Sequence, residues 1–146
     1  MTADEKLDAM LDKFTPEVAA VAREAIAAMT ARFPGAQRLV YDNYNALAIG
    51  FGPNERARQI LLSIAVYPRW ASLFLAGGAA LPDPQGLLEG TGAVMRHVKL
   101  RPGLIDTPAV LALIDAAAAA TAYPVDPAGE GRTIIKSVSA RQRPRR

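Results

Sequence analysis

Cysteine is absent from this chain. That removes disulfides, thiolate nucleophiles and Cys-ligated zinc at once, and it fits a reducing, cytoplasmic setting. Histidine and tryptophan occur once each, as His97 and Trp70. A single histidine excludes a histidine-rich metal centre and leaves any metal ion to carboxylates. Aromatic residues make up only 6% of the chain, so a place where two fall close together is informative. No apolar run approaches the roughly 20 residues that a membrane helix requires, and no membrane partner is expected. The acidic opening MTADEKLDAM has no apolar h-region, so no secretory signal is expected either.

What is present is the composition of a globular domain: 51% hydrophobic and 21% charged residues over 146 positions. That length suits one core and one domain. The net charge of +3 is unevenly distributed. Six of the 17 Lys and Arg lie in residues 132–146, which hold no acid. The other 11 face all 14 acids in residues 1–131, a balance of −3 for the body. The expected division is therefore an α+β domain over 1–131, with a core of about 16–122, and a basic C-terminal strand and tail over 132–146.

Hydrophobic spacing predicts the elements. Leu7, Met10, Leu11 and Phe14 line one face of a helix over Ala3–Phe14. Thr15-Pro16 restarts the chain as N-cap and first helical residue of a second helix, over Pro16–Arg32, which Pro34-Gly35 ends. The period then changes. Gln37–Asn43 and Ala46–Phe51 read as a hairpin, and Gln59–Tyr67 as a strand with Ile60, Leu62, Ile64 and Val66 on one side. Pro68-Arg69 is too short for a helical crossover, so Trp70–Leu75 should return antiparallel. Residues 77–92 read as loop and Met95–Leu100 as a strand. A helix opens at Thr107-Pro108, with Thr107 as its N-cap candidate, and runs to about Ala122, and Thr133–Val138 reads as a last strand. Residues 140–146 are expected to be disordered. The sum is one mostly antiparallel sheet of about 5–6 strands with N-terminal helices and a C-terminal helix packed on it.

The block Leu61–Leu100 concentrates the chemistry. It holds Tyr67, Arg69, Trp70, Asp83, Arg96, His97 and Lys99. Alternation along the strand at 95–101 places His97, Lys99 and Arg101 on one face and Arg96 on the other. A row of cations suits phosphate, carboxylate or another anion. Tyr67 and Trp70 offer a flat wall, and Asp83 or Glu89 would orient His97 or Arg96. The plainer reading of the same residues is a solvated strand face, with Trp70 in the core and Asp83 capping a turn. A catalytic role for His97 lacks a nucleophile: Ser63 and Ser72 sit in strand-like runs without the glycines of a nucleophile elbow. No cofactor-binding motif is evident, since the glycines at 77–92 are followed by no Gly-Lys-Ser/Thr.

Within this block, Tyr67-Pro68-Arg69-Trp70, Leu73-Phe74-Leu75, Gly78, Leu81-Pro82-Asp83-Pro84, Leu88-Glu89-Gly90 and Arg96-His97-Val98 together resemble the YdhG-like family of uncharacterised domains, over roughly residues 16–122. The resemblance implies a small domain of helices on an antiparallel sheet. It supplies no catalytic residues. Some relatives are described as frataxin-like iron chaperones, which makes metal carriage an expectation to test against the structure. The row Asp4, Asp8 and Asp12 along the first helix would be the oxygen ligands. Its plainer reading is a solvated face near a helix start.

The basic tail supplies the other candidates. Lys136, Arg141, Arg143, Arg145 and Arg146 would contact RNA phosphates, without aromatic residues between them for base stacking. Three readings stand side by side: a binding domain for a small anionic ligand or a protein partner near residues 67–101, a metal chaperone, and an RNA-associated protein. None is enzymatic. Sheet edges and the helix Thr107–Ala122 would also serve a homodimer.

Overall fold

The computed structural model describes residues 1–146 as three helices on a six-stranded sheet, an α+β fold in one compact domain. The helices are α1 (Ala3–Leu11), α2 (Pro16–Arg32) and α3 (Pro108–Ala120). The strands are β1 (Gln37–Asp42), β2 (Leu47–Gly52), β3 (Leu62–Val66), β4 (Ala71–Leu75), β5 (Arg96–Lys99) and β6 (Thr133–Val138). The sheet order is β5-β4-β3-β2-β1-β6. All neighbours pair antiparallel except β6, which pairs with β1 in parallel. No helix is long and apolar enough to cross a membrane.

Two of the three helices begin where a side chain supplies an acceptor for otherwise unpaired N–H groups. Thr2 and Glu5 form a capping box at α1. Thr15 accepts from the Val18 amide at 3.4 Å, with Pro16 at the first helical position. Thr107 departs from expectation. Its hydroxyl donates back to the Leu104 carbonyl at 2.7 Å and does not cap α3.

Alternation along the strands decides the core. Cross-strand register aligns Val40 with Ile49, Ile49 with Ile64, Ile64 with Leu73 and Leu73 with Val98. That row faces the helices. With Leu7, Leu11, Phe14, Ala22, Met29, Val110 and Ile114 it joins one cluster of 28 buried residues. Full burial of each Leu, Ile or Phe stabilises by about 1.5–3 kcal/mol. The expected alternation fails at one point. The chain makes a short 3-10 turn at Ala57–Gln59, so the strand starts at Leu62 and not at Gln59. Ile60 then lies over Gly50 and Gly52 on the sheet's other side, where a Cβ on Gly50 would collide with it.

At one end of the sheet, pairing brings Val138, Asp42, Leu47, Val66 and Ala71 into one row. The turns 43–46 and 67–70 and the exit of β6 therefore emerge side by side. Residues 140–146, expected to be disordered, fold back along this end. Ser139 donates its amide to the Asp42 carbonyl at 2.8 Å and Arg143 donates to the Tyr44 carbonyl at 3.0 Å. The physical reason is Arg145, which is only 5% exposed and is drawn to buried Asp42.

The entry of β6 is held by backbone contact. Gly131 donates to the Pro34 carbonyl at 2.9 Å, and a Cβ there would strike the carbonyl oxygens of Pro34 and Ala36. Backbone atoms give little, so Gly131→Ala is expected to cost on the order of 1–3 kcal/mol. Urea denaturation checks this. An unchanged midpoint would mean that β6 is not positioned by this approach.

Candidate functional site

Tyr67 and Trp70 bracket the turn between β3 and β4. The Tyr67 amide donates to the Trp70 carbonyl at 2.8 Å, which closes the turn. Val66 and Ala71 point into the core, so the next residue on either side points to the open face of the sheet. There the two rings stack, with centroids 4.7 Å apart and planes 22° apart. The Lys99 ammonium lies 4.9 Å from the Trp70 ring centroid, a cation–π contact. Trp70 is 38% exposed and is therefore not a core residue.

Beside this turn lies a groove of about 630 Å³, lined by Tyr67, Pro68, Arg69 and Trp70 on one side and by Asn45, Arg143, Pro144 and Arg146 on the other. Three arginines line it and no acidic side chain does. Arg143 reaches the Asn45 side-chain oxygen at 3.4 Å. Arg146 donates to the carbonyls of Lys13 and Asp12, each at 3.1 Å, at the end of α1 where helix carbonyls lack partners. Two further depressions are less suited to a ligand of one charge. The cleft of about 290 Å³ between residues 82–87 and α3 is mainly apolar. The open depression at Asn54 mixes Glu55 and Glu130 with Arg56 and Arg132.

The residues singled out in 67–101 do not all meet. Tyr67, Arg69 and Trp70 line the groove together, and Lys99 reaches Trp70. His97 lies on the same face but further along, stacked on Phe74 at 5.0 Å. Its backbone forms a two-way bridge with Glu89. Arg96 is on the helix-side face and donates to the carbonyls of Gly92 and Met95. Asp83 makes no hydrogen bond or ion pair with any of them. Its two carboxylate oxygens accept from the Leu87 and Leu88 amides, each at 2.9 Å, so it holds its own loop. Neither Arg96 nor Arg69 is ion-paired with it.

The tail cations are also divided. Lys136 approaches Glu55 at 3.5 Å. Arg141 is exposed. Arg143 and Arg146 line the groove. Arg145 is withdrawn from solvent, paired with Asp42 at 2.9 Å and lying 5.6 Å from the Phe14 ring centroid. It is not available to an RNA phosphate in this conformation. Along α1, Asp8 and Asp12 both take the Arg23 guanidinium at 2.8 Å. The hydrogen bonds that Arg23 donates to Asp12 and then to Asp8 hold its guanidinium above its ordinary, already strongly basic range. Asp4 is not part of that pair of bridges, and no group of three His, Asp or Glu side chains comes together to hold a metal ion.

Asn45, Pro144 and the pairing of Arg143 and Arg146 with the 67–70 turn had no signal in the sequence beyond the tail's charge. No family model matches the chain, and neither a curated protein nor a solved structure does.

The Asp42–Arg145 pair gives a direct test of this arrangement. Removing one partner of a buried ion pair leaves an uncompensated charge, typically at a cost of about 3–5 kcal/mol. Arg145→Ala is expected to destabilise the protein by roughly that amount in chemical denaturation, while Arg141→Ala at an exposed site should stay within about 0.5 kcal/mol. Equal effects of the two would show that Arg145 is not buried.

Proposed function

We propose that this protein is a non-enzymatic binding module for a small, multiply charged anion seated between the Tyr67–Trp70 turn and residues 143–146. The observation that carries this reading is the groove's charge: Arg69, Arg143 and Arg146 line it, with Asn45 as a neutral donor and no acidic side chain. Arg69 comes from a different part of the chain than the other two, so the charge is not that of a single basic run. Guanidinium groups match phosphate and carboxylate oxygens two bonds at a time. A volume of about 630 Å³ falls in the range of metabolite sites, about 300–1,000 Å³, and exceeds what one phosphate group needs. Lys99 adds positive potential from behind Trp70.

The YdhG-like reading accompanies this proposal on the motif residues between Tyr67 and Val98, and a cytoplasmic setting on the cysteine-free composition. Metal carriage has less support, since Asp8 and Asp12 already neutralise Arg23. RNA contact through the tail has less as well, since Arg145 is buried.

Inorganic tripolyphosphate is the probe. A ligand that binds only the native state stabilises it by about 2.7 kcal/mol at 100 times its Kd, so the melting temperature should rise with tripolyphosphate and less so in high salt. Hydrogen bonds to charged groups are worth about 1.5–3 kcal/mol. Arg69→Ala and Arg143→Ala should therefore each weaken binding about tenfold or more in calorimetry. Binding that survives both substitutions would place the anion elsewhere, and no binding by the wild type would end this reading.

A further inference from the structure

Residues 143–146 form one wall of the groove, yet the contact that holds them lies outside it. Asp42 pairs across the sheet with Leu47, which is fully buried, so its side chain faces the helices. Arg145 reaches it there. The guanidinium donates to Asp42 Oδ1 at 2.9 Å, to the Asn43 carbonyl at 2.6 Å and to the Tyr44 carbonyl at 3.3 Å. The Phe14 ring lies 5.6 Å away. Asp42 is 2% exposed. The other tail contacts, at Ser139, Gln142, Arg143 and Arg146, involve carbonyl oxygens or the exposed Asn45 side chain.

The buried pair is incompletely matched. Asp42 Oδ2 and Arg145 Nε have no partner in the chain, so one carboxylate oxygen is desolvated without return. Such a pair is a poor source of net stability, because desolvation offsets its attraction. It is a strong source of position. The socket of one carboxylate, two carbonyls and a ring accepts a guanidinium and little else. Seating Arg145 in it leaves Arg143 and Arg146, on either side in sequence, lining the groove.

We propose that the Asp42–Arg145 pair anchors residues 139–146 and thereby sets the anion affinity of the groove, so that docking of this segment and binding of the anion strengthen each other. This rests on the groove reading above. Asp42 and Arg145 are positioning residues, since neither lines the groove. The undocked protein retains only Arg69 of the three arginines, so an anion binds the docked form more tightly. Linkage then requires that the anion favour docking by the same factor.

Two measurements on the full-length protein test this. The first compares wild type and Arg145→Gln for tripolyphosphate affinity by calorimetry and for amide hydrogen exchange at Ser139 and Arg143 by NMR. Apparent affinity scales with the docked fraction. Arg145→Gln should exchange faster at both amides and bind about tenfold more weakly or worse, although every groove residue is intact. The second needs no variant: saturating tripolyphosphate should slow exchange at the Arg143 amide of the wild type. If Arg145→Gln does not fold, the second measurement decides alone. Faster exchange in Arg145→Gln with unchanged affinity overturns the coupling and leaves the groove standing, as does wild-type exchange that ignores saturating tripolyphosphate. No calorimetric binding by the wild type overturns the groove, and the coupling with it.

Discussion

Strand β6 joins β1 in parallel, and a parallel neighbour delivers its C-terminal end to the same end of the sheet as its partner's. The chain leaves Val138 beside Asp42, at the end where the 43–46 and 67–70 turns also emerge. An antiparallel β6 would have sent the arginine-rich segment to the opposite end, away from Tyr67 and Trp70. Parallel pairing needs a long connection, and residues 43–132 supply it as four strands and α3. The groove is thus a consequence of topology before it is one of side chains.

Two charge arrangements in the molecule look alike in sequence and differ in physics. Asp8, Asp12 and Arg23 form an exposed cluster between α1 and α2, where water screens the charges and each contact contributes little. Asp42 and Arg145 form a pair almost without solvent, where the same chemistry is costly to leave unmade. The first ties two helices loosely. The second dictates the path of eight residues. Arg32 and Asp115, bonded through two guanidinium nitrogens and joining α2 to α3, lie between these extremes in exposure.

The side-chain alternation of a half-buried sheet explains why the 67–101 block divides as it does. Neighbouring residues on a strand face opposite sides, so Arg96 and His97 part company although they are adjacent in sequence. Trp70 and Lys99, far apart in sequence, meet because Ser72 pairs with Lys99 across β4 and β5. Asp83 is recruited by the two amides of its own turn, a local demand that outcompetes any distant cation.

Local spacing in the sequence determined most of the elements: α2 from its Thr-Pro start to Arg32, the hairpins, and the final strand at Thr133–Val138. Each is set by periodicity and by caps or turns within a few residues. The same spacing misplaced Ile60, because a 3-10 turn reversed its side of the sheet without changing the apolar pattern. The tertiary structure alone decided the rest. Whether a basic tail is solvated or seated depends on a carboxylate about a hundred residues away, and neither Asp42 nor Arg145 carries a mark in sequence that pairs it with the other. Burial made that pair selective, and strand order placed Arg143 and Arg146 opposite Arg69. Contacts between distant segments follow from packing the whole chain, which no window of local sequence contains.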